Sequence, residues 1–344
     1  MSGQQSREGI KVGIIGAGGI ARNMHLPSLN EMADVDVVAV CDIIESRARE
    51  MSEKYAIPRV YTLYREMLAA ETDAIDAFFV LVEPGNLFHV TWHCLDAGYH
   101  AFMEKPPGVT CFQAESLARK ADQAERILQV GFNRRHIPLV RQVKEIVEQN
   151  TTINQVEGCF FKFGSGAFDR GSTSAFMSDT VHAVDLVRWL AGGAPAAVAS
   201  VVGRSDEPIV SSWNAVCRFD NGVTGIVKGN YRTGGRVHQF QVHGPGLSAY
   251  INLGFGEAGC DAVLLCHEGT AQYSLAARGA EDKSVVRIDG YELAGSREMY
   301  KSYGFYQEDR HFIDCVEAGT QPETSIHDAV KSMELAEMIL SSAI

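Results

Sequence analysis

The stretch from Lys11 to Asp42 constrains the fold of this chain more than any other part of the sequence. It opens with the apolar run K-V-G-I-I, which is typical of a buried parallel strand. A glycine turn and the predicted start of a helix follow, formed by Gly16, Gly18, Gly19, Ile20 and Ala21. In such a turn the first glycine permits the sharp bend and the second lets the backbone approach a pyrophosphate. The small residue after the glycines lets the helix pack closely on the strand.

An acidic residue follows at the offset that a dinucleotide site requires. Asp42 lies about twenty residues beyond the glycine turn, where a carboxylate accepts a hydrogen bond from a ribose hydroxyl. A carboxylate there repels the extra phosphate of NADP, so the pattern favours NAD, although Arg47 and Arg49 follow nearby. The alternative is a tight strand-to-helix turn without a ligand. The strand, the glycine turn, the helix and the acidic residue all occur at the expected positions, and this favours the interpretation as a dinucleotide-binding site.

Composition narrows the class of protein. At 344 residues the chain exceeds the size of a single core, so two domains are expected. A net charge of −12 argues against binding to nucleic acid or to an anionic membrane surface. Residues 1–9 lack the apolar core of a signal peptide, and no apolar run reaches membrane-spanning length. Eight scattered cysteines without a C-x-x-C pattern are typical of reduced thiols, so we expect a cytoplasmic protein.

The order of predicted elements indicates an α/β domain followed by an α+β domain. Up to residue 132 strands and helices alternate, which predicts a Rossmann dinucleotide-binding domain with a parallel sheet. Residues 133–344 contain Val-, Phe- and Tyr-rich segments that predict a large, mostly antiparallel open sheet, with a hairpin at Asp220-Asn221-Gly222. A helix is expected from Ala175 to Ala191. Two late helices, 306–318 and 326–341, are expected to pack back on the first domain.

Two constellations contain the residue types needed for proton transfer. Glu104 and Lys105 follow a predicted parallel strand, at the edge of the sheet where ligands bind, although a surface ion pair is the alternative. Ser178, His182 and Asp185 have the spacing of one helical face, and a histidine near the cofactor acts as acid or base near neutral pH. A core histidine held by a carboxylate explains the same spacing equally well.

The combined motifs resemble the family of glucose–fructose oxidoreductase, inositol dehydrogenase and their relatives (Gfo/Idh/MocA). The matching segments are G-A-G-G-I-A, C-D, M-E-K-P, V-G-F-N-R-R-H-I-P and the H-x-x-D helix ending in R-W-L-A-G. The resemblance implies catalytic Lys105 and His182. The family pattern places an aspartate four residues before the histidine, where this chain has Ser178. The only nearby acid is Asp179, and one residue on a helix corresponds to about 100 degrees. Either a local irregularity brings Asp179 into the site, or the acid is missing.

The resemblance also implies which residues bind each ligand. The expected cofactor-binding residues are Gly16, Gly18, Gly19, Ile20, Ala21, Asp42, Ile43, His89, Glu104 and Lys105. The expected substrate-binding residues are Lys105, Asn133, Arg134, Ser178 and His182. An arginine of the Asn133-Arg134-Arg135 segment could clamp an acidic group, and surface ion pairing is the alternative. We expect no metal site, because His89 and His93 lack an H-E-x-x-H pattern.

The function expected from these patterns is NAD-dependent transfer of hydride to or from a secondary hydroxyl of a sugar, polyol or sugar derivative. One alternative is a non-catalytic NAD-binding sensor, suggested by Ser178 in the place of the acid. Another is redox-assisted glycoside cleavage or elimination, in which NAD is required without accumulating as NADH. The resemblance further implies a homodimer or homotetramer formed through the second sheet.

Overall fold

The computed structural model describes residues 9–72, 74–168, 173–254, 259–267 and 284–344. The chain divides into two compact units. The first unit contains Met1–Gly108, Phe112–Gly131 and Phe305–Asp328. The second unit contains Val109–Cys111, Phe132–Gly304 and Ala329–Ile344.

The first unit is built on a six-stranded parallel sheet. Its strands are β1 (Ile10–Ile15), β2 (Val35–Cys41), β3 (Arg59–Tyr61), β4 (Ala77–Val80), β5 (His100–Met103) and β6 (Leu128–Val130). The spatial order is β3-β2-β1-β4-β5-β6, and every neighbouring pair is parallel. Because β1 lies at the centre, the order reverses there, which creates the crevice where open α/β sheets bind ligands. The predicted Rossmann fold is confirmed.

The second unit is built on a mixed eight-stranded sheet. Its strands are β7 (Gln155–Phe163), β10 (Pro195–Gly203), β11 (Ser212–Phe219), β12 (Thr224–Asn230), β13 (Arg232–Gly244), β14 (Leu247–Leu253), β15 (Cys260–Cys266) and β16 (Val285–Asp289). Their order is β10-β11-β12-β7-β13-β14-β15-β16, with β7 and β12 parallel and the other pairs antiparallel. The short strands β8 (Ala167–Phe168) and β9 (Thr173–Ser174) form a separate pair. The predicted mostly antiparallel sheet is confirmed, and β11 and β12 form the expected hairpin.

The helices differ in regularity. The α-helices are α1 (Leu26–Asn30), α2 (Glu45–Tyr55), α3 (Tyr64–Ala70), α4 (Pro84–Asp96), α5 (Cys111–Ala124), α6 (Pro138–Asn150), α7 (Val181–Ala191), α8 (Gly290–Ala294), α9 (Met299–Ser302), α10 (Phe305–Ala318) and α11 (Ile326–Ser341). A π-helical turn at Ala21–His25 precedes α1, and another at Phe176–Thr180 precedes α7. Asn133–His136 form a 3₁₀ turn. In the described part of the chain, no helix is long and apolar enough to cross a membrane.

The core of the first unit includes residues from its C-terminal segment. Phe312, on α10, is fully buried, and its ring meets Phe79 edge to face with centroids 5.4 Å apart. Phe79 also stacks on Phe102 at 4.9 Å. Buried aromatic rings of this kind contribute more than their area alone. The late segment is therefore part of the packed core of the Rossmann unit.

The last helix differs from the expectation that it returns to the first domain. From Ala329 onward α11 belongs to the second unit. There the Ser332 hydroxyl donates to Asp185 at 2.7 Å and accepts from Arg188 at 2.8 Å. These buried polar contacts give the helix a specific position within that unit.

Candidate functional site

The glycine turn after β1 combines a tight bend with an open surface. Gly16 has a φ of +102°, and a Cβ built there would lie 2.4 Å from the carbonyl oxygen of Leu81. Only glycine meets both constraints. A Cβ built on Gly18 or Gly19 would instead point into space free of other atoms. The bend is thus determined by Gly16, and the two following glycines leave the backbone accessible.

Asp42 fastens this turn to the end of β2. One carboxylate oxygen accepts from the backbone N–H of Ala17 at 2.8 Å, and the other accepts from the N–H of Ile44 at 2.8 Å. Asp42 is buried, whereas the neighbouring Ile43 is 85% exposed. A carboxylate has about four acceptor positions, so capacity for a ribose hydroxyl remains.

A cavity of about 380 Å³ lies beside the turn within the first unit. Its lining includes Gly16, Gly18, Asp42, Ile43, Arg47 and His89. The size falls in the range of small-molecule sites, about 300–1,000 Å³. Open glycines, an acid and a partly apolar wall fit the adenosine half of a dinucleotide. Ile20 and Ala21 form the first helical turn above it, and Ala21 is fully buried.

Glu104 and Lys105 lie at the carboxyl end of β5, as the sequence predicts. The backbone N–H of Lys105 donates to the carboxylate of Glu104 at 3.0 Å, and the Lys105–Pro106 peptide bond is cis. Glu104 is buried and Lys105 is half-buried. The alternative of a surface ion pair is therefore wrong for Glu104.

A buried charged cluster underlies this position, which we call the His25 cluster (His25, Glu104 and Asp309). The fully buried His25 ring contacts Asp309 through Nδ1 at 2.8 Å and Glu104 through Nε2 at 3.2 Å. Burial lowers the pKa of His25, but the charges and hydrogen bonds of Asp309 and Glu104 raise it overall to about 10. Burial opposes ionisation of Glu104, yet His25 holds the pKa of Glu104 below its usual value. The cluster therefore stabilises the imidazolium.

In the second unit the predicted regular helix from Ala175 to Ala191 is wrong at its first turn. Phe176–Thr180 form a π-helical turn, and the α-helix proper begins at Val181. A π turn contains more residues than an α turn, so it changes the helical phase of the residues before it relative to those after it. Asp179 lies within this turn. The irregularity required to reposition Asp179 is therefore present.

Asp179 takes part in a polar network. Its carboxylate pairs with Lys162 and accepts from the Tyr231 hydroxyl at 2.7 Å. The ammonium of Lys162 lies 4.8 Å from the centre of the Tyr231 ring. Burial, together with the charge of Asp179, raises the pKa of Tyr231. Tyr231 thus remains a neutral hydrogen-bond donor to the carboxylate.

A buried arginine lies in the same part of the second unit. Arg134 is 4% exposed, and its guanidinium lies 5.0 Å from the ring of Phe160 and 5.5 Å from that of Tyr303. Asn133 donates to the backbone carbonyl of Tyr303 at 2.8 Å, which fixes the 3₁₀ turn. His238 stacks on Phe160 with ring centroids 3.5 Å apart. Surface ion pairing is therefore excluded for Arg134.

His182 and Asp185 have different environments although they share α7. The ring of buried His182 meets Phe132 at 6.2 Å, and Ser178 donates to the carbonyl of Ser174 at 2.9 Å. Asp185 accepts from Nε of Arg135 at 2.8 Å and from Ser332. Asp185 thus belongs to a buried structural ion pair. The shared face proposed for Ser178, His182 and Asp185 assumed regular α-helical spacing, which the π turn interrupts.

Sequence reasoning missed several residues that lie beside the candidate site residues. These residues are far in sequence from the site residues that they lie beside, and they are His25, Asp309, Lys162 and Tyr303. They are identified only by the buried or charged surroundings that the folded chain creates. Other candidates have structural partners: His93 contacts Tyr64 and Arg65 at 2.9 Å each. Within the described ranges, no group of three metal-ligating side chains gathers.

The parallel sheet, the glycine turn and the acid at the end of β2 define a dinucleotide-binding oxidoreductase of the Rossmann class. Comparison with known families agrees with this class. Residues 10–132 match the Gfo/Idh/MocA oxidoreductase family with an NAD-binding Rossmann fold, and residues 140–248 match the Gfo/Idh/MocA C-terminal domain. The chain belongs to the Gfo/Idh/MocA family, as the sequence resemblance predicts.

Individual relatives span nearly the whole chain. It is 25% identical to a myo-inositol 2-dehydrogenase of Thermotoga maritima over 95% of this chain and 94% of that protein. Among solved structures, a dehydrogenase from Chromobacterium violaceum has a TM-score of 0.84 at 22% identity, covering 98% of this chain and 96% of that one.

Two further solved structures contain cofactors. An oxidoreductase from Agrobacterium radiobacter in complex with NAD⁺ has a TM-score of 0.78 at 18% identity, covering 97% of this chain and 96% of that one. A 3-ketoreductase from Actinomadura kijaniata in complex with NADP has a TM-score of 0.75 at 20% identity, covering 97% of this chain and 98% of that one. At these identities the likeness shows the fold alone.

Proposed function

We propose that this protein is an NAD-dependent dehydrogenase that oxidises a secondary hydroxyl of a sugar, polyol or sugar derivative, or reduces the corresponding ketone. The observation that supports this most directly is the glycine turn fastened to Asp42 beside an open cavity. The family relationship supports the chemistry, because the similar Thermotoga protein is a myo-inositol 2-dehydrogenase.

The proposed cofactor site lies in the first unit. The backbone at Gly18, Gly19, Ile20 and Ala21 would face the pyrophosphate at a helix start, where unpaired N–H groups favour an anion. Asp42 would accept from the adenosine ribose, with Ile43 and His89 along the same wall. The carboxylate favours NAD, whereas Arg47 in the same lining limits the discrimination against NADP.

Bound NAD would supply the hydride acceptor, and the protein supplies the proton transfer. We propose that Lys105, in its neutral amine form, takes the hydroxyl proton while the carbinol C–H bond breaks and the carbonyl forms. His182 would hydrogen-bond the reacting oxygen and share this proton, since an imidazole titrates near neutral pH. Asp179 would supply the carboxylate of the relay from its place in the π turn. Asn133, Arg134 and Ser178 would contact the rest of the substrate.

The remaining proposals concern the setting of the protein. Each cysteine (Cys41, Cys94, Cys111, Cys159, Cys217, Cys260, Cys266 and Cys315) is a free thiol, which supports a reducing cytoplasm. We propose a homodimer or homotetramer formed through the second sheet, whose outer residues Val201, Val216 and Tyr250 are 53%, 53% and 41% exposed. Such apolar exposure on a broad sheet favours association.

The proposed function is tested by following NADH formation with a panel of polyols and sugars. Lys105→Met keeps the length of the side chain and removes the amine, and Lys54→Met, on the exposed face of α2, is the matched control. We expect Lys105→Met and His182→Ala to lower kcat about 100-fold or more, as for a lost general base, while NAD still binds. Unchanged turnover in both variants would contradict the assignment. Tight NAD binding without any reduction would favour a sensor, and NAD-dependent product formation without NADH would favour elimination.

A further inference from the structure

The second unit contains an excess of positive charge around the buried Arg134, which we call the Arg134 site (Arg134, Lys162, Arg236, Asp179 and His238). Within it Lys162 is half-buried and Arg236 is exposed. Burial lowers the pKa of His238, and the charges of Arg134, Arg236 and Lys162 lower it further, opposed by Asp179. The largest charges acting on this histidine are therefore three cations and one carboxylate. In a protein with a net charge of −12, this local excess of positive charge is unusual.

Lys162 and Asp179 already neutralise each other, because they form an ion pair. Arg134 differs. Its hydrogen-bond contact is with the Asn133 side-chain oxygen at 3.5 Å, too long to satisfy a guanidinium. Its Nε is buried and meets no acceptor among the residues that the structure describes. The faces of Phe160 and Tyr303 also lie near the guanidinium, with ring centres 5.0 Å and 5.5 Å away.

Cation–π contacts stabilise a guanidinium only in part. The stabilisation from such contacts is smaller than the cost of burying an unpaired charge. Burial and the neighbouring cations lower the pKa of His238, so its ring adds no further positive charge. Two planar rings thus fix the guanidinium and leave its N–H groups without a carboxylate from the described residues. An oxyanion is the chemical group that these donors match, since a guanidinium binds carboxylate or phosphate in a forked geometry.

From this geometry we infer that the substrate carries an anionic group, a carboxylate or a phosphate ester, which Arg134 binds with support from Arg236. The inference rests on the proposed function, because it assumes that the second unit binds the sugar-like substrate. It narrows the substrate class to acidic sugar derivatives such as aldonates, uronates or sugar phosphates.

The test compares matched pairs that differ only in the anionic group. D-gluconate is paired with D-glucitol, and D-glucose 6-phosphate with D-glucose, using NADH formation and calorimetric binding to the NAD-bound protein. We expect at least about tenfold preference for the anionic member of one pair, and which pair shows it distinguishes carboxylate from phosphate. Arg134→Met should lower kcat/KM or affinity for that member about 100-fold, as when one partner of a buried charge pair is removed. For the neutral member, kcat/KM or affinity should change less than about threefold.

Controls separate binding from folding. Arg134→Lys should recover part of the lost preference, because it restores the charge without the fork. Arg236→Gln should lower kcat/KM or affinity for the anionic member by about three- to tenfold, because removing a more exposed charge has a smaller effect. Arg287→Gln, at an exposed position on β16, should change kcat/KM or affinity for neither member. Melting temperatures of all variants report folding.

Each outcome decides the inference separately from the proposed function. Equal use of neutral and anionic members, or an equal loss of both in Arg134→Met, would overturn the inference and leave the dehydrogenase assignment standing. If no compound forms NADH, the proposed function fails, while calorimetry still shows whether the NAD-bound protein prefers the anionic member. Absence of that preference in calorimetry would overturn the inference as well.

Discussion

The glycine turn of the first unit and the π turn of the second unit achieve their geometry in different ways. The first depends on backbone geometry: Gly16 bends the chain, and Asp42 fastens the turn by hydrogen bonds to backbone N–H groups. The second depends on contacts between side chains, since Asp179 binds Lys162 and Tyr231. A site made from local backbone tolerates variation elsewhere in the chain. A site made from dispersed side chains can change its chemistry through single substitutions.

This difference predicts that the largest effect on catalysis comes from the second region. Asp179→Asn should lower kcat about 100- to 10,000-fold, because the carboxylate that we propose for the proton relay is lost. NAD affinity, set by the first unit, should be unchanged. Steady-state kinetics and NAD titration measure the two quantities. Asp206→Asn, at an exposed carboxylate that pairs with Arg232, is the matched control. A loss of kcat in this control as large as that of Asp179→Asn would contradict the role given to Asp179.

The His25 cluster predicts the next largest effect, on stability. His25→Gln leaves Glu104 and Asp309 without a buried cation, so the free energy of unfolding should fall by about 3–5 kcal/mol near neutral pH. Because folding raises the pKa of His25, its contribution to the free energy of unfolding is fully present below pH 6.5, the pKa of histidine in the unfolded chain. It is lost as the pH rises through about 10. Urea unfolding as a function of pH measures this difference between variant and wild type.

We expect the free energies of unfolding of His25→Gln and wild type to converge as the pH approaches 10. A difference that stays constant with pH over this interval would show that His25 acts through packing alone. His327→Gln provides a control, because His327 pairs with Asp122 at the surface, where an ion pair contributes little.

The two glycine positions predict separable defects within the first region. Gly16→Ala combines a positive φ with a close contact, so it should lower the free energy of unfolding by about 2–3 kcal/mol. Gly18→Ala has room for its Cβ and should leave the apoprotein within about 0.5 kcal/mol of wild type while weakening NAD binding. Thermal unfolding without NAD and titration with NAD distinguish these effects. Equal destabilisation by the two substitutions would contradict the geometry.

The smallest expected effect concerns the choice of cofactor. Asp42→Ser removes the charge that repels the extra phosphate and leaves Arg47 in the same lining. We expect the ratio of NAD to NADP affinity to fall about tenfold, which corresponds to about 1.4 kcal/mol. Titration with both cofactors measures the ratio, and Asp36→Ser, an exposed residue of β2, is the control. An unchanged ratio would show that Asp42 does not determine the preference for NAD over NADP.

The same contrast explains what sequence reasoning could predict. The strand, glycine turn, helix and acid follow local periodicity and turn chemistry, so the Rossmann fold and the hairpin at Asp220-Asn221-Gly222 were accessible. The π turn was not accessible, because residues 176–180 have no propensity signal that separates a π turn from an α turn. Regular spacing consequently misplaced the side chains that precede His182.

Long-range partnership was the other obstacle. The shift in the pKa of His25 depends on Asp309, and the environment of Arg134 depends on Phe160 and Tyr303. No periodic pattern links residues so far apart in the chain. From the sequence alone, the segment Asn133-Arg134-Arg135 therefore fitted a surface or a binding site equally well. The structure shows that Arg135 forms a buried ion pair with Asp185, whereas the buried Nε of Arg134 meets no acceptor among the described residues.

The central claim, direct hydride transfer by this protein, is tested most directly by isotope transfer. A substrate identified in the panel is prepared with deuterium on the reacting carbinol carbon and incubated with NAD and the wild-type protein. Mass spectrometry of the isolated nicotinamide cofactor then reports where the label goes. We predict NADH carrying one deuterium and a ketone product in equal amount. Product formed without labelled NADH, or labelled NADH formed equally by Lys105→Met, would contradict the account.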